Sequence, residues 1–302
     1  MKKFALFFMV LFSPFLFSQK NKKEYDYIKN YYQYVYEANY NYEIGKDTLA
    51  YNLLKKAESN CPLLNQYGIC EIVTLAKLSV KFNKHNEALN YIELLLKKFG
   101  YKFSYFEHQS VFNPLSKKSK WKKLKKNADK IHQEYLKTVN FSLRKELKGI
   151  MAKDQEVRLR GIIDWKEVDS IDRIHEDRLK VILKEFGYPD DNLIGNPNFV
   201  EDESPLYIGT LIMHIRDVEY WKPIFLDLIR RGKAPANIYG NLVDSLQRGK
   251  SHFIYGIYVD TKPEKIIDFD KIDERRIAVG LSTWDLQKKM YDILMKEWEN
   301  AN

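Results

Sequence analysis

Three polar residues of this 302-residue chain stand where helical spacing calls for apolar ones. Asp154 follows Leu147 and Ile150 by seven and four residues. His175 follows Ile171 by four and precedes Leu179 by four. His214 follows Leu211 by three and precedes Val218 by four. Each therefore projects from the apolar face of its helix. A buried carboxylate or imidazole is costly unless it is paired. The three helices are thus expected to meet around a common polar cluster. Arg158 and Asp172, one turn from Asp154 and His175, are the candidate partners.

Two histidines and an aspartate could hold a metal in a facial arrangement. They could equally transfer protons, because imidazole titrates near neutrality. The plainer alternative is a network of satisfied core polar groups. No metal-binding signature such as H-E-x-x-H is present, so the metal and any cofactor stay open.

The elements that must position these residues are helical. Gly and Pro number only 13 and 9, and Leu, Ile, Lys and Glu abound, which points to a mainly α fold rather than a β sandwich. In the carboxy-terminal half, helices are expected over 141–160, 165–186, 206–221, 223–231, 237–247 and 283–298. An acidic loop runs over 190–204, and Pro205 can start the helix after it. The β-branched and aromatic stretches 252–259 and 266–269 read as a small β-hairpin around Thr261-Lys262-Pro263.

The amino-terminal half carries an internal repeat. Ala38 and Ala76 are separated by the same 38 residues as Ala50 and Ala88. This resembles the tetratricopeptide repeat, whose small residues let paired helices pack closely and whose period is about 34 residues. The resemblance implies α-α hairpins that present a groove to a protein or peptide. The extra residues fall between Cys61 and Cys70, and the segment from Tyr101 to Leu124 is expected to cap the pairs. Nine of the 21 tyrosines lie between Tyr25 and Tyr51. They fit amphipathic helix faces, with a stacking surface for peptide or sugar as the alternative.

A second resemblance covers about residues 141–291. It rests on the order Asp154-Gln155 with Arg158, Asp172, Gly187-Tyr188-Pro189, Ile194-Gly195, His214, Tyr255-Gly256 and the run from Asp273 to Leu281. This order is similar to a bacterial domain family of unknown function. The resemblance brings no activity with it. It supports the domain boundary, and it adds Tyr255 and Arg275 to Arg158 and Asp172 as candidate binding residues. The chain departs from the family pattern at Ser245, after Asp244, and at Phe253 and Ile254, before Tyr255.

The first residues suggest a compartment. Lys2 and Lys3 precede an apolar run from Phe4 to Phe17, and Ser18 offers a small residue at the expected cleavage point. This reads as a secretory signal peptide over residues 1–18, too short for a comfortable membrane span. The mature chain is expected to be periplasmic or secreted, without a transmembrane helix, with a repeat module over 24–130 and an α-rich domain over 140–300. Export makes a Cys61–Cys70 disulfide plausible.

The net charge of +9 becomes +7 once Lys2 and Lys3 are removed. The segment 97–148 carries +11, which leaves −4 for the rest. An anionic envelope surface suits that segment better than nucleic acid does in an exported chain. A solvated helix face, with Trp121 and Leu124 turned inward, is the blander reading. On these observations the chain is expected to be an exported protein of unknown biochemical activity that binds or scaffolds in the cell envelope. The alternative is a metal-dependent or acid–base hydrolase-like enzyme using Asp154, His175 and His214.

Overall fold

The computed structural model describes residues 24–66, 68–200, 206–247, 252–258 and 260–301, and it is mainly helical. The signal peptide, Pro205 and part of the 190–204 loop lie outside the described residues. No helix among the described residues is long and apolar enough to cross a membrane.

A single turn, α1 (Tyr27–Asn30), leads into two helix pairs. These are α2 (Tyr32–Glu43) with α3 (Asp47–Asn60), and α4 (Glu71–Lys81) with α5 (His85–Lys98). The 38-residue offset holds at the ends of α2 and α4 and at both ends of α3 and α5. It also holds in the turns. Gly45 and Asn83 both adopt positive φ, at 75° and 59°. Lys46 and Lys84 follow with nearly the same backbone angles, and each donates its amide across the turn at 2.7 Å. Gly and Asn are the residues that enter the left-handed region at least cost. Ala38, Ala50, Ala76 and Ala88 are fully buried between the helices, where larger side chains would hold the backbones apart.

The turn α6 (Ser104–Glu107), a 3-10 segment (Ser110–Leu115) and the helix α7 (Ser119–Lys126) follow, the last two against α5, with Phe106, Phe112, Trp121 and Leu124 buried. The lysines of α7 point to solvent. Lys120 and Lys125 pair with Glu93 and Glu107 at 2.6 and 2.5 Å. Helix α8 (Ala128–Leu136) returns along α5.

Tyr31, Tyr32 and Tyr51 are core residues, and Tyr27 and Tyr31 meet edge to face at 5.1 Å. The buried Glu71 carboxylate accepts from the Tyr31 hydroxyl and from the amides of Leu64 and Asn65. Cys61 and Cys70 are both thiols, not the expected disulfide. Cys61 is packed into the core at the end of α3. Cys70 stands in left-handed conformation before α4, its thiol facing Tyr101 and pushed up in pKa by burial.

The carboxy-terminal half begins with two long helices, α9 (Phe141–Arg158) and α10 (Trp165–Phe186), packed on each other. Asn140 and Asp164 cap their amino termini. After the short α11 (Asp191–Ile194) the chain departs from expectation. Of the helices expected over 206–221 and 223–231, the first is interrupted by a turn at 213–217 and its last residues join the second, giving α12 (Gly209–Ile212) and α13 (Val218–Arg230). Glu176 on α10 captures the amides of Arg216 and Asp217, and Asp217 caps α13. A helix continuing through this point would need those amides for its own ladder. Helix α13 runs through Pro223 because Trp221, Phe225 and Ile229 hold its inner face in the core.

Helices α14 (Asn237–Ser245), α15 (Ile272–Ala278) and α16 (Trp284–Ala301) complete the fold. Among the described residues the expected β-hairpin does not form, and Phe253 and Ile266 make one isolated parallel bridge. The fully buried carboxylate of Asp244 explains this difference. It accepts from the amides of Ile254, Tyr255 and Ile257, which would otherwise be free to pair with a second strand.

The main hydrophobic core runs from Tyr27 to Leu281 and includes both halves, and a small second cluster joins Val157 of α9 to Val168 and Ile171 of α10. Tyr32 donates to the Ala234 carbonyl at 3.2 Å and Gln33 to the Leu281 carbonyl at 2.8 Å. Gly232 and Gly280 approach the rings of Tyr27 and Tyr32 too closely for a larger residue to replace them without movement.

Candidate active site

The broken helix places His214 at the junction of α9, α10, α12 and α13. His214 Nδ1 lies 2.8 Å from Asp154 Oδ1. Asp154 is 1% exposed, whereas the His214 ring keeps 23% of its surface open to a cleft of ≈ 510 Å³. Arg158, one turn after Asp154, bridges two carboxylates. Its Nη1 donates to Asp154 Oδ1 at 3.0 Å and its Nη2 to Asp172 Oδ1. Asp154 Oδ2 accepts from Gln155 at 2.7 Å, and Asp172 Oδ2 from Arg216 Nη2 at 2.8 Å. All four oxygens of the two buried carboxylates are therefore satisfied.

These partners set the charges. Burial alone would raise the Asp154 carboxyl. The hydrogen bond from His214, together with the positive charge of Arg158, outweighs it and holds the group below the usual carboxylate range. Glu176 is likewise held low against its burial, by the Arg216 amide and the Trp221 indole at 2.9 Å each. His175 behaves differently. It sits half-buried within the field of Asp154 and Asp172 but shares no bond with them. Its Nδ1 is buried with no partner among the described residues, and burial pushes its pKa below the ordinary value.

Of the residues expected to share a site, Asp154, Arg158, Asp172 and His214 come together, and His175 stands beside them. Tyr255 and Arg275 lie elsewhere. Arg275 donates to the carbonyls of Ile254, Ile267 and Asp268 and so ties down the 253–268 loop. Tyr255 packs against Tyr239 with ring centroids 5.8 Å apart. Its carbonyl accepts from the fully buried Arg276 at 2.6 Å.

The structure adds three residues that spacing alone did not single out. Arg216 faces the cleft, Glu176 fixes the turn that carries it, and Ser245 lines the opposite wall. A signal for part of this was present, since Asp169, Asp172, Arg173 and Glu176 recur at i, i+3, i+4 and i+7 along one face of α10.

Asp154, Asp172 and His214 each offer a ligand atom, all within 4.8 Å of one another. They are the residues that could hold a metal, with Asp172 in the place expected for His175. An ion seated there would have to displace the Arg158 guanidinium, which already bonds both carboxylates. As it stands, the arrangement can do proton chemistry. Asp154 fixes the ring of His214 through Nδ1 and leaves Nε2 as the nitrogen available at the cleft. A scan of protein-family models, a search of curated proteins and a search of solved structures return no match to this chain.

Proposed function

We propose that residues 140–300 carry a hydrolase-like acid–base site in which His214, oriented by Asp154, moves the proton. The observation that carries this reading is the 2.8 Å contact between His214 Nδ1 and a buried, ionised carboxylate, with the ring opening on a cleft. Asp154 stabilises the imidazolium that forms when Nε2 takes a proton from water or a substrate hydroxyl. Loss of such an orienting carboxylate lowers turnover by roughly 10⁴-fold in the best-studied triads.

Hydrolysis of para-nitrophenyl carboxylate and phosphate esters by the full chain tests the reading. His214→Gln and Asp154→Asn should each reduce turnover at least about 100-fold without lowering the melting temperature by more than a few degrees. Turnover unchanged in His214→Gln sinks it. Turnover lost on chelation and restored by zinc or manganese would favour the metal-dependent version of the same site.

The binding role proposed for the amino-terminal half is narrower than a free groove. Its tetratricopeptide-like character is supported by the exact repetition of turn geometry at 38 residues and by the buried alanines. The face carrying Tyr32 and Gln33 is covered by the chain's own carboxy-terminal half, so the pairs act first as a cradle for the catalytic half. A protein, a peptide or an anionic envelope surface would meet what is left, including the lysine-bearing face of α7. Nucleic acid is not proposed as a partner. The proposed export is supported by the amino-terminal sequence alone, and the intact mass of the secreted protein, lacking residues 1–18, tests it. The placement of residues 141–291 in the bacterial domain family of unknown function is also a proposal. It is supported by the convergence of Asp154, Arg158, Asp172 and His214.

A further inference from the structure

A second hollow of ≈ 400 Å³ adjoins the cleft, bounded by Asp169, Arg173, Arg216 and Asp217. Arg216 lines both spaces. Its Nη2 serves Asp169 at 2.7 Å and Asp172 at 2.8 Å. Its Nε and Nη1 have no acceptor among the described residues. Arg173, one turn along the same face of α10 from Asp169, is exposed and forms no ion pair or hydrogen bond among the described residues. The acidic groups of the hollow are already engaged. Asp169 holds Arg216, and Asp217 accepts the Tyr220 amide at the start of α13. Two guanidinium groups with unused donors therefore face one space, beside a cleft whose other wall is apolar through Trp165, Val168, Met213 and Leu246.

The geometry points to a substrate that carries an oxyanion, carboxylate or phosphate, held by Arg173 and Arg216, with an apolar or aromatic body along the Trp165 wall. Guanidinium donors are arranged as a planar fork that matches two oxygens of such a group. The four charged side chains of the hollow sum to zero. Recognition would therefore come from directed donors at short range more than from a long-range positive field. Trp165 is 65% exposed, and a flat apolar ligand would cover it. This inference rests on the reading of His214 as the acid–base centre, because it fixes which end of the ligand lies in the hollow and which lies at the imidazole.

Calorimetric titration of the full chain with phenyl phosphate, benzoate and benzyl alcohol tests it. At least one of the two anions should bind saturably, and benzyl alcohol should not. Which anion binds separates a phosphate ligand from a carboxylate one. Arg173→Gln and Arg216→Gln should each weaken that binding about tenfold or more, the loss expected for a charge-assisted pair. His214→Gln should leave it within about twofold, since the imidazole is not the oxyanion's partner. Arg173 is exposed and supports nothing else, so its variant keeps the test valid if Arg216→Gln destabilises the fold by freeing Asp172. Failure of both anions to bind the folded protein overturns the inference, as does binding unchanged in Arg173→Gln. Arginine-dependent binding without any ester hydrolysis upholds the inference and removes only the catalytic reading.

Discussion

At the scale of the residue, the site shows how few groups are needed to keep two carboxylates charged inside a fold. Asp154 and Asp172 are both almost fully buried, yet Arg158, Arg216, Gln155 and His214 satisfy every oxygen. This arrangement has a pH signature. Burial holds the folded pKa of His175 below the ordinary 6.5, so its contribution to stability is present above 6.5 and is lost as pH falls through the folded value. Asp154 and Glu176 are also held low. Their contributions are present above 3.8 and 4.5 respectively and are lost on further acidification. Asp191 opposes them. Burial, with the Asp190 charge, pushes it up to about 6, so its contribution is lost as pH rises from 3.8 through 6. The His175 part is isolated by comparing variants. Melting temperatures of wild type and His175→Gln should converge as the pH is lowered from 7 toward 5, and a constant difference across that range would contradict this account.

At the scale of the element, the turn at 213–217 is the feature on which the site depends. His214 and Arg216 reach the cleft because Glu176 interrupts the helix that their neighbours would otherwise continue. A close approach of another kind holds α8 against the end of α5. Gly100 has φ of 72°, and a Cβ there would lie 2.2 Å from the Tyr135 ring. That ring cannot step aside, because its hydroxyl is fixed between the Asp191 carbonyl and the Asn196 amide. Gly100→Ala should therefore cost on the order of 3 kcal/mol, combining left-handed strain with overpacking. Chemical denaturation measures it, and a loss under about 1 kcal/mol would show that Tyr135 can move after all.

At the scale of the whole molecule, the continuous core makes the halves interdependent. The sheltered faces of α1 and α2 meet Gly232, Ala234, Gly280 and Leu281. Neither half hides its apolar surface alone. Scanning calorimetry should therefore give one unfolding transition, with van't Hoff and calorimetric enthalpies in agreement. Two resolved transitions would mean that the contacts at Tyr32 and Gln33 are incidental.

The sequence alone supplied the helical class, the 38-residue repeat and the polar positions Asp154, His175 and His214, with Arg158 and Asp172 as their candidate partners. All three follow from local rules. Helical periodicity shows which residues share a face, and a charge on an apolar face demands a partner wherever it is buried. Tertiary structure decided the rest. Which partner each charge finds depends on contacts 14 to 60 residues away in the chain, from Arg158 with Asp172 to His214 with Asp154. Periodicity could not foresee that Glu176 would unwind the helix at Arg216, or that Asp244 would take the amides of the expected hairpin. In both cases a buried carboxylate from elsewhere in the fold outcompetes the local backbone hydrogen bond, and only packing brings that carboxylate within reach.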